Sequence, residues 1–239
     1  MPRTYNSPVR AERARENRAR IVAAADGLFR EQGWVPTTMA DVATAAGLTR
    51  QTVYQQFAGK LPLLDACIDA ALTSGVGGAV RDLPDYRLMG VGDRPHRVAA
   101  GARWLRAAHE RSAEIQNVLD QAAVTDPEAA LLLSAREQRR WEEVRWAVGL
   151  ILGVGGDGGE VGGGDQNGGD QNGGDGNGGD QNDGDPEASD AAVVDPATVD
   201  AVWALASRRN WLVLTGTRGW SGDRWESWFV RHFRAEIEA

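Results

Sequence analysis

Apolar residues in the first quarter of the chain recur every three or four positions, which is the spacing of a helix that buries one face. The first such stripe consists of Ile21, Ala25, Leu28 and Phe29. It predicts a helix over about residues 12–32 that ends before Gly33-Trp34. Alternating Arg and Glu residues at the start of this segment favour the same helix, because they form charge pairs one turn apart.

Two shorter apolar stripes follow, with Gly47 between them. The first consists of Met39, Val42, Ala43 and Ala46. Thr38 and Asp41 form a capping-box-like pair at its start, and Thr49 can cap the next helix. Gly47 suits the left-handed conformation with which a helix ends and the chain turns sharply. The pattern therefore predicts a helix, a tight turn and a second short helix.

The second helix of this pair carries several long or hydrogen-bonding side chains that the core does not need. These are Arg50, Gln51, Thr52, Tyr54 and Gln55. Val53 and Phe57 anchor the helix to the core. In a helix-turn-helix the second helix enters the major groove of DNA with its N-terminal residues at the base edges. An αα-hairpin that only packs has a similar pattern, so the hairpin alone does not establish DNA binding.

The rest of the chain also shows helical spacing. The apolar segments cover about residues 61–75, 95–111, 112–124, 127–152, 196–215 and 222–238. We find no segment in which apolar and polar residues alternate for long enough to form a sheet. The fold class predicted from these patterns is all-α.

Residues 153–190 depart from this pattern. Sixteen of these 38 residues are Gly, ten are Asp or Glu, and none is Lys or Arg. A unit Gly-Gly-Asp-Gln-Asn repeats from 163 to 182, with Gly176 replacing Gln in the third copy. Little apolar surface offsets the backbone entropy, so we expect a disordered insertion. Its period fits neither an EF-hand nor a calcium-binding β-helix. A repeat-expanded surface loop and an acidic tether that competes with DNA are both open interpretations.

The charge distribution favours nucleic acid at one end of the chain only. The net charge is −8, but residues 1–60 carry nine Arg or Lys against five Asp or Glu. The basic end is the one with the predicted helix-turn-helix, as phosphate binding requires. We expect residues 1–11 to be a flexible basic arm, in which Arg10, together with nearby Arg13, reaches phosphates or the minor groove. A solvated tail is the alternative.

Composition excludes several other classes. There is no apolar run of membrane-spanning length and no signal-peptide pattern, and the single Cys67 fits a reducing compartment, so we expect a cytoplasmic protein. The three histidines are scattered, so we expect no metal site. Nucleophilic catalysis requires a nucleophile, a base and an orienting group, and no local motif in the sequence supplies them. We interpret Glu142-Glu143 as part of a solvated helix face. We therefore expect neither enzymatic activity nor a cofactor.

A series of residues at fixed spacing extends from the predicted helix-turn-helix into both flanking helices. It runs through Ala25-x-x-x-Phe29-x-x-x-Gly33-Trp34-x-x-Thr37-Thr38, then Val42-Ala43-x-x-Ala46-Gly47-Leu48-Thr49, then Thr52-Val53-Tyr54-x-x-Phe57-x-x-Lys60-x-x-Leu63. In this register the sequence resembles the TetR family of bacterial transcriptional repressors. The resemblance covers about residues 12–64, and Gln56 departs from it, since the family more often has His, Tyr or Asn there.

The resemblance implies a domain order and a function. Residues 12–60 would form a three-helix DNA-binding domain, and residues 61–239 a helical ligand-binding and dimerisation domain interrupted by the insertion at 153–190. The expected protein is a homodimeric repressor that an unknown small molecule releases from double-stranded operator DNA. The alternative is a ligand-independent scaffold or activator that uses its acidic segment to contact a protein partner.

The resemblance also distributes roles among residues. Base contacts are expected from Thr49, Arg50, Gln51 and Thr52, because Arg pairs with guanine and Gln with adenine in the major groove. Phosphate contacts are expected from Thr38, Tyr54, Gln55 and Lys60. The candidate pocket residues are Trp104, Val118, Ala122, Trp141 and Val144, for which ordinary core packing is the alternative. The expected dimer interface lies in 196–216 and 222–238, with Trp203, Trp211, Leu214, Trp225, Trp228, Phe229 and Phe233.

Overall fold

The structure is a computed structural model that describes residues 8–154 and 194–238. Over these ranges the regular elements are ten α-helices, two 3₁₀ turns at Val80–Asp82 and Leu88–Gly90, and a π-helical turn at Val213–Thr217. The α-helices are α1 (Pro8–Gln32), α2 (Met39–Ala46), α3 (Arg50–Gln56), α4 (Lys60–Leu72), α5 (Pro84–Arg87), α6 (Arg94–Ala123), α7 (Pro127–Leu152), α8 (Pro196–Leu205), α9 (Arg208–Leu212) and α10 (Gly222–Ile237). The all-α prediction is confirmed. Residues 1–7 of the expected arm and 155–190 of the expected insertion lie outside the described residues.

Helices α1 to α4 pack around one apolar core that the sequence pattern anticipated. The side chains of Ile21, Phe29, Val53 and Leu63 are fully buried in it. Their spacing places one apolar face of each short helix inward, and burying such side chains stabilises each helix by about 2 kcal/mol per residue. The second and third of these helices form the predicted helix-turn-helix.

The ends of α2 and α3 are fixed by the expected caps. The backbone N–H of Asp41 donates to Thr38 Oγ1 at 3.2 Å, and the N–H of Thr38 donates to Asp41 Oδ2 at 3.2 Å, which completes a capping box. Gly47 has φ 62°, the left-handed conformation that ends α2. At α3 the N–H of Thr52 donates to Thr49 Oγ1 at 3.2 Å.

Helix α6 is one continuous helix of 30 residues, whereas the sequence predicted two helices that met near residue 111. No Gly or Pro interrupts the chain at that point. The buried hydroxyl of Ser112 donates to the Ala108 carbonyl at 2.7 Å, so this polar group is satisfied inside the helix. The C-terminal half of α6 joins the first core through Ile115 and Leu119. Its N-terminal half joins a second core through Val98 and Ala102.

The second core takes in part of the chain between the predicted helices at about residues 61–75 and 95–111. Tyr86 of α5 and Met89 of the following turn are 1% and 2% exposed. The Tyr86 hydroxyl donates to the Glu143 carbonyl at 3.1 Å, and its ring packs edge-on against Trp104. Elements of three or four residues are too short to show helical periodicity, so the sequence pattern did not reveal them.

The C-terminal segment corrects two predictions. Residues 196–216 do not form one long helix, because α8 ends at Leu205 and α9 begins at Arg208 after the Ser207 cap. Four of the residues predicted at the dimer interface are buried inside the subunit. They are Trp211, Trp225, Phe229 and Phe233. The apolar stripe of α10 faces α6 and α8 of its own chain, so these side chains have almost no surface to offer a partner.

Candidate nucleic-acid interface and ligand cavity

Helix α3 presents a polar face to solvent. Thr49, Arg50, Gln51, Tyr54 and Gln55 are exposed, and Tyr54 keeps 54% of its surface although it is a large aromatic residue. Thr52 is half-buried, with its hydroxyl 2.9 Å from the Thr49 hydroxyl. The structure therefore places Arg50 and Gln51 in the first turn of a capped, exposed helix. Both side chains are therefore accessible from solvent, which the predicted base contacts require.

Two arginines of α1 hold the helix-turn-helix in place, and sequence analysis missed both. Arg20 Nη2 donates to the Ala46 carbonyl at 2.6 Å, at the C-terminus of α2. Arg18 Nη1 donates to the Gln56 carbonyl at 3.4 Å, at the C-terminus of α3, and its guanidinium lies 4.2 Å from the centre of the Phe57 ring. A cation at a helix C-terminus satisfies free carbonyls and opposes the helix dipole. The only signal in the sequence was a basic run on the polar face of α1.

Two of the residues predicted to contact phosphate also make contacts within the protein. The Thr38 hydroxyl is part of the capping box of α2. Lys60 Nζ donates to the Trp34 carbonyl at 2.7 Å and lies 4.1 Å from the centre of the Trp34 ring. Burial lowers the pKa of Lys60, and the charge of Asp126 opposes that change. Because an ammonium has three N–H groups, Lys60 keeps donors that a phosphate can use.

Arg10 and Arg13 do not lie in a flexible arm. Helix α1 begins at Pro8, four residues before the predicted start, and both arginines are exposed in its first turns. Proline is compatible with the first turn of a helix, and the ion pair of Arg15 with Glu12 extends the charge pairing of α1 toward its start. Both guanidiniums are therefore held on the same helix as Arg18 and Arg20.

Ion pairs and hydrogen bonds connect these helices to α6 and α7. Arg30 of α1 donates to the Arg111 carbonyl of α6 at 2.6 Å, and Arg111 in turn donates to the Ala71 carbonyl of α4 at 3.2 Å. Arg136 of α7 pairs with Asp65 and, at 2.9 Å, with Asp69 of α4. Helices α1 and α4, which pack against the helix-turn-helix, therefore contact α6 and α7 through polar side chains.

A cavity of about 280 Å³ lies in the second core, between α6, α7 and the C-terminal helices. Of the predicted pocket residues, Trp104 and Val144 line it. Val118 and Ala122 do not, because the continuous helix α6 turns them into the first core. Trp141 does not line it either, since its indole Nε1 donates to Asp200 of α8 at 2.7 Å. These three assignments were wrong.

The cavity wall combines aromatic and charged side chains that sequence analysis did not bring together. His109 of α6 is 6% exposed and stacks on Trp211. Burial first, and the charge of Arg140 second, lower the pKa of His109 to about 3, so its imidazole is neutral at neutral pH. Nearby, Glu137 accepts hydrogen bonds from Arg140 and Arg208. In the sequence, His109 was only one of three scattered histidines.

The fold and the exposed α3 define an all-α protein with an N-terminal helix-turn-helix domain. Residues 21–67 match the family of bacterial regulatory proteins described as the tetR family. The transcriptional regulators TtgR and CymR, both of Pseudomonas putida, are each 42% identical to this chain over 59 residues. These matches cover 25% of this chain, and 28% and 29% of those proteins.

A solved structure of a TetR-family protein from Rhodococcus sp. resembles the whole molecule. It covers 93% of this chain and 99% of its own, with a TM-score of 0.54 and 14% identity, so it supports the fold. The family match itself is confined to residues 21–67, which contain the helix-turn-helix. The chain matches less than a third of the length of the two Pseudomonas regulators. Both relatives are named as transcriptional regulators, which agrees at the family level with the expectation that this protein is not an enzyme.

No helix among the described residues combines the length and the apolar character that crossing a lipid bilayer requires.

Proposed function

We propose that this protein is a homodimeric transcriptional repressor that reads a pseudo-palindromic operator with α3 and leaves it when a small molecule fills the cavity beside α6. The observation that carries the proposal is the exposed N-terminal turn of α3, where Arg50 and Gln51 project from a helix fixed by Thr49, Arg18 and Arg20. A rigid helix with free hydrogen-bonding side chains is what major-groove readout requires.

In this proposal the side chains of α3 divide their roles. Arg50 and Gln51 read bases, with Thr49 and Thr52 beside them, and Tyr54 and Gln55 contact the phosphate backbone. Thr38, Lys60, Arg10 and Arg13 add contacts to phosphates from the flanking helices. Two copies of α3 must lie about 34–36 Å apart, or a small multiple of that distance, to enter successive major grooves.

The dimer uses the part of the C-terminal helices that the subunit leaves accessible. Trp203, Leu214 and Trp228 are half-buried, and Trp is enriched at the energetic centres of protein interfaces. Trp228 lies against Trp220 with ring centres 6.2 Å apart, so an aromatic surface lies beside the buried stripe of α10.

The switch works through the ion pair between α4 and α7. Asp69 and Arg136 both line the cavity and are 2.9 Å apart. A ligand that changes the spacing of α4 and α7 therefore acts on the helix that packs against α1. Release from DNA follows if the ligand binds more tightly to an arrangement in which the two copies of α3 no longer match the operator.

The test is salt-titrated binding of the purified full chain to its own upstream intergenic DNA and to random DNA. We expect tight, selective binding with a steep salt dependence. Arg50→Ala should weaken operator binding by about 1–3 kcal/mol and leave binding to random DNA nearly unchanged. Lys60→Met should weaken both alike and reduce the salt slope by about one. Arg145→Ala, which removes an exposed arginine of α7, is the matched control and should change neither.

Equal loss on operator and random DNA in the Arg50→Ala protein would remove that residue from base readout. Equal, weak binding of the unmodified protein to both DNAs would show that this intergenic region holds no operator for the free protein. In that case genomic fragments selected on the immobilised protein provide the next substrate, and the absence of any selected sequence would refute the proposal.

A further inference from the structure

Four exposed arginines of α1 have no carboxylate partner among the described residues. No described Asp or Glu oxygen lies within 4.0 Å of the guanidinium nitrogens of Arg10, Arg13, Arg18 or Arg20. Arg50, in the first turn of α3, is also exposed and has no such partner among the described residues. We call these five arginines the basic surface. Their positive charge has no nearby counter-ion in the part of the chain that the structure describes.

Positive charge is in excess only in the N-terminal part of the described chain. Residues 8–60 carry eight Lys or Arg against five Asp or Glu. Residues 61–154 and 194–238 together carry 17 Arg against 19 Asp or Glu. An anionic segment is therefore attracted most strongly to the helices around the basic surface.

The negative charge of the chain comes from residues 155–193, which we call the acidic segment. It carries ten Asp or Glu and no Lys or Arg, so without it the chain would have 26 basic against 24 acidic residues. The net charge would then be +2 instead of −8. Only five of its 39 residues are Ala or Val, and it has no larger apolar residue. Burial of apolar surface therefore contributes little to any contact that it makes, and charge contributes most.

The acidic segment is long enough to reach the basic surface. Helix α7 connects the two cores, with Ala129 in the first and Ile151 in the second, and its 26 residues span about 39 Å. The acidic segment follows Val154 and precedes Val194, which packs against the second core. The midpoint of 39 residues can lie up to about 65 Å from either end. Helix α1, which packs in the first core, is within that distance.

We infer that the acidic segment docks on the basic surface and competes there with the phosphates of DNA. Attachment to the same chain gives the segment an effective concentration on the order of 1 mM at this surface, so weak ion pairs are sufficient. Each phosphate that DNA places on an arginine must then displace a carboxylate. The competition lowers affinity for every DNA sequence alike, which suppresses non-specific binding. The inference rests on the proposed function only in taking α1 and α3 as the surface that contacts DNA.

Lys60 allows a test of docking without DNA, because it is the only lysine of the chain. It is the first residue of α4, four positions after α3 ends, so its amine belongs to the same domain as the basic surface. A carbodiimide joins carboxylates to amines that they contact. We expect mass spectrometry of the cross-linked monomer to find Lys60 joined to Asp or Glu of the acidic segment. The cross-link should be lost in about 1 M salt, which screens charges beyond about 3 Å.

Arg103→Lys supplies a control amine in the same molecule. Arg103 is exposed on the half of α6 that packs in the second core, the core that also contains the end of α7 and Val194. An amine there is nearer to both ends of the acidic segment than Lys60 is, and it is more exposed. Chance encounters therefore favour the control amine, whereas docking favours Lys60. We expect Lys60 to be coupled to the segment more often than the amine that Arg103→Lys introduces.

Two variants of the acidic segment test the competition with DNA. In the amide variant all ten Asp and Glu become Asn and Gln, and we expect random DNA and operator DNA to bind about three- to tenfold more tightly at low salt. The affinities should converge with those of the unmodified protein as salt is raised. Deletion of residues 161–182 keeps six of the ten acidic residues, but its 17 remaining residues reach only about 30 Å. It should bind DNA as tightly as the amide variant, whereas an effect of net charge alone would leave it nearer the unmodified protein. Thermal unfolding checks that both variants fold.

The inference is wrong if Lys60 is not coupled to the segment, or if the control amine is coupled as often. It is also wrong if the amide variant binds DNA no more tightly than the unmodified protein, which would leave the segment to a separate protein partner. The proposed function fails separately. Cross-linking and random-DNA binding as expected, without any DNA sequence that is bound selectively, would keep the docking and refute operator recognition.

Discussion

At the scale of single residues, Arg20 shows how a side chain outside the recognition helix controls it. Its Nη2 lies 2.6 Å from the Ala46 carbonyl and 3.5 Å from that of Gly47, directly before α3 begins. Arg20→Ala leaves the last carbonyls of α2 without this donor, and we expect the free energy of unfolding to fall by about 1 kcal/mol. Urea denaturation measures this, with Arg145→Ala as the control.

Arg20→Ala should also weaken operator binding more than its loss of charge explains, because the turn before α3 loosens. A variant that loses only as much affinity for operator as for random DNA would show that Arg20 acts as a charge and not as a support for the turn.

The residues that could be read from the sequence are those whose partners lie within one helical turn. Thr38 with Asp41 and Thr49 with Thr52 are three residues apart, so capping rules locate both pairs. Arg20 lies 26 residues from Ala46, and His109 meets Trp211 from a distant part of the chain. A local sequence pattern does not predict that residues so far apart in the chain are in contact. The exposed side chains of α3 could therefore be predicted from the sequence, whereas most of the residues that line the cavity could not.

At the scale of elements, the turn between α2 and α3 depends on the left-handed conformation of Gly47, whose φ is 62°. Gly47→Ala should lower the free energy of unfolding by about 1 kcal/mol, because a Cβ is strained in that conformation. The added Cβ would also lie 3.2 Å from Arg20 Nη2. Gly27→Ala in α1 is the control, because its effect on the free energy of unfolding should have the opposite sign: nothing lies within 4 Å of its added Cβ.

We expect Gly27→Ala to stabilise the protein by up to about 1 kcal/mol, because alanine favours a helix interior over glycine. Differential scanning calorimetry of both variants gives the comparison directly. Equal shifts of the two melting temperatures in one direction would contradict the assignment of Gly47 as the helix-ending residue.

Helix α6 is the element that the sequence described least well, although its existence was predicted. The sequence predicted two helices over about residues 95–111 and 112–124, whereas the structure has one helix whose two halves bury different faces in different cores. That continuity is also why Val118 and Ala122 moved from the expected pocket to the core of the DNA-binding helices. Apolar periodicity identifies one buried face of a helix. It therefore does not predict a helix whose two halves bury different faces in two cores.

At the scale of the whole molecule, burial of His109 makes stability depend on pH. The imidazole has its ordinary pKa of 6.5 in the unfolded chain, whereas burial lowers it to about 3 in the native protein. Between these values the unfolded chain binds the proton and the native protein does not, so acid favours unfolding. The contribution of His109 is fully present above about pH 6.5 and declines as the pH falls toward 3.

We therefore expect the free energy of unfolding to fall by about 2 kcal/mol between about pH 6.5 and about pH 5, since each pKa unit is worth about 1.4 kcal/mol. His109→Gln should remove most of this loss, and His232→Asn, which replaces an exposed histidine, should keep it. Burial raises the pKa of Glu137, but the hydrogen bonds and charges of Arg208 and Arg140 together outweigh burial and lower that pKa, so measurements above about pH 5 keep this carboxyl out of the comparison. Urea denaturation at fixed protomer concentration measures all three proteins. An identical pH dependence in the unmodified and His109→Gln proteins would mean that His109 is already protonated, or reached by water, in the native state.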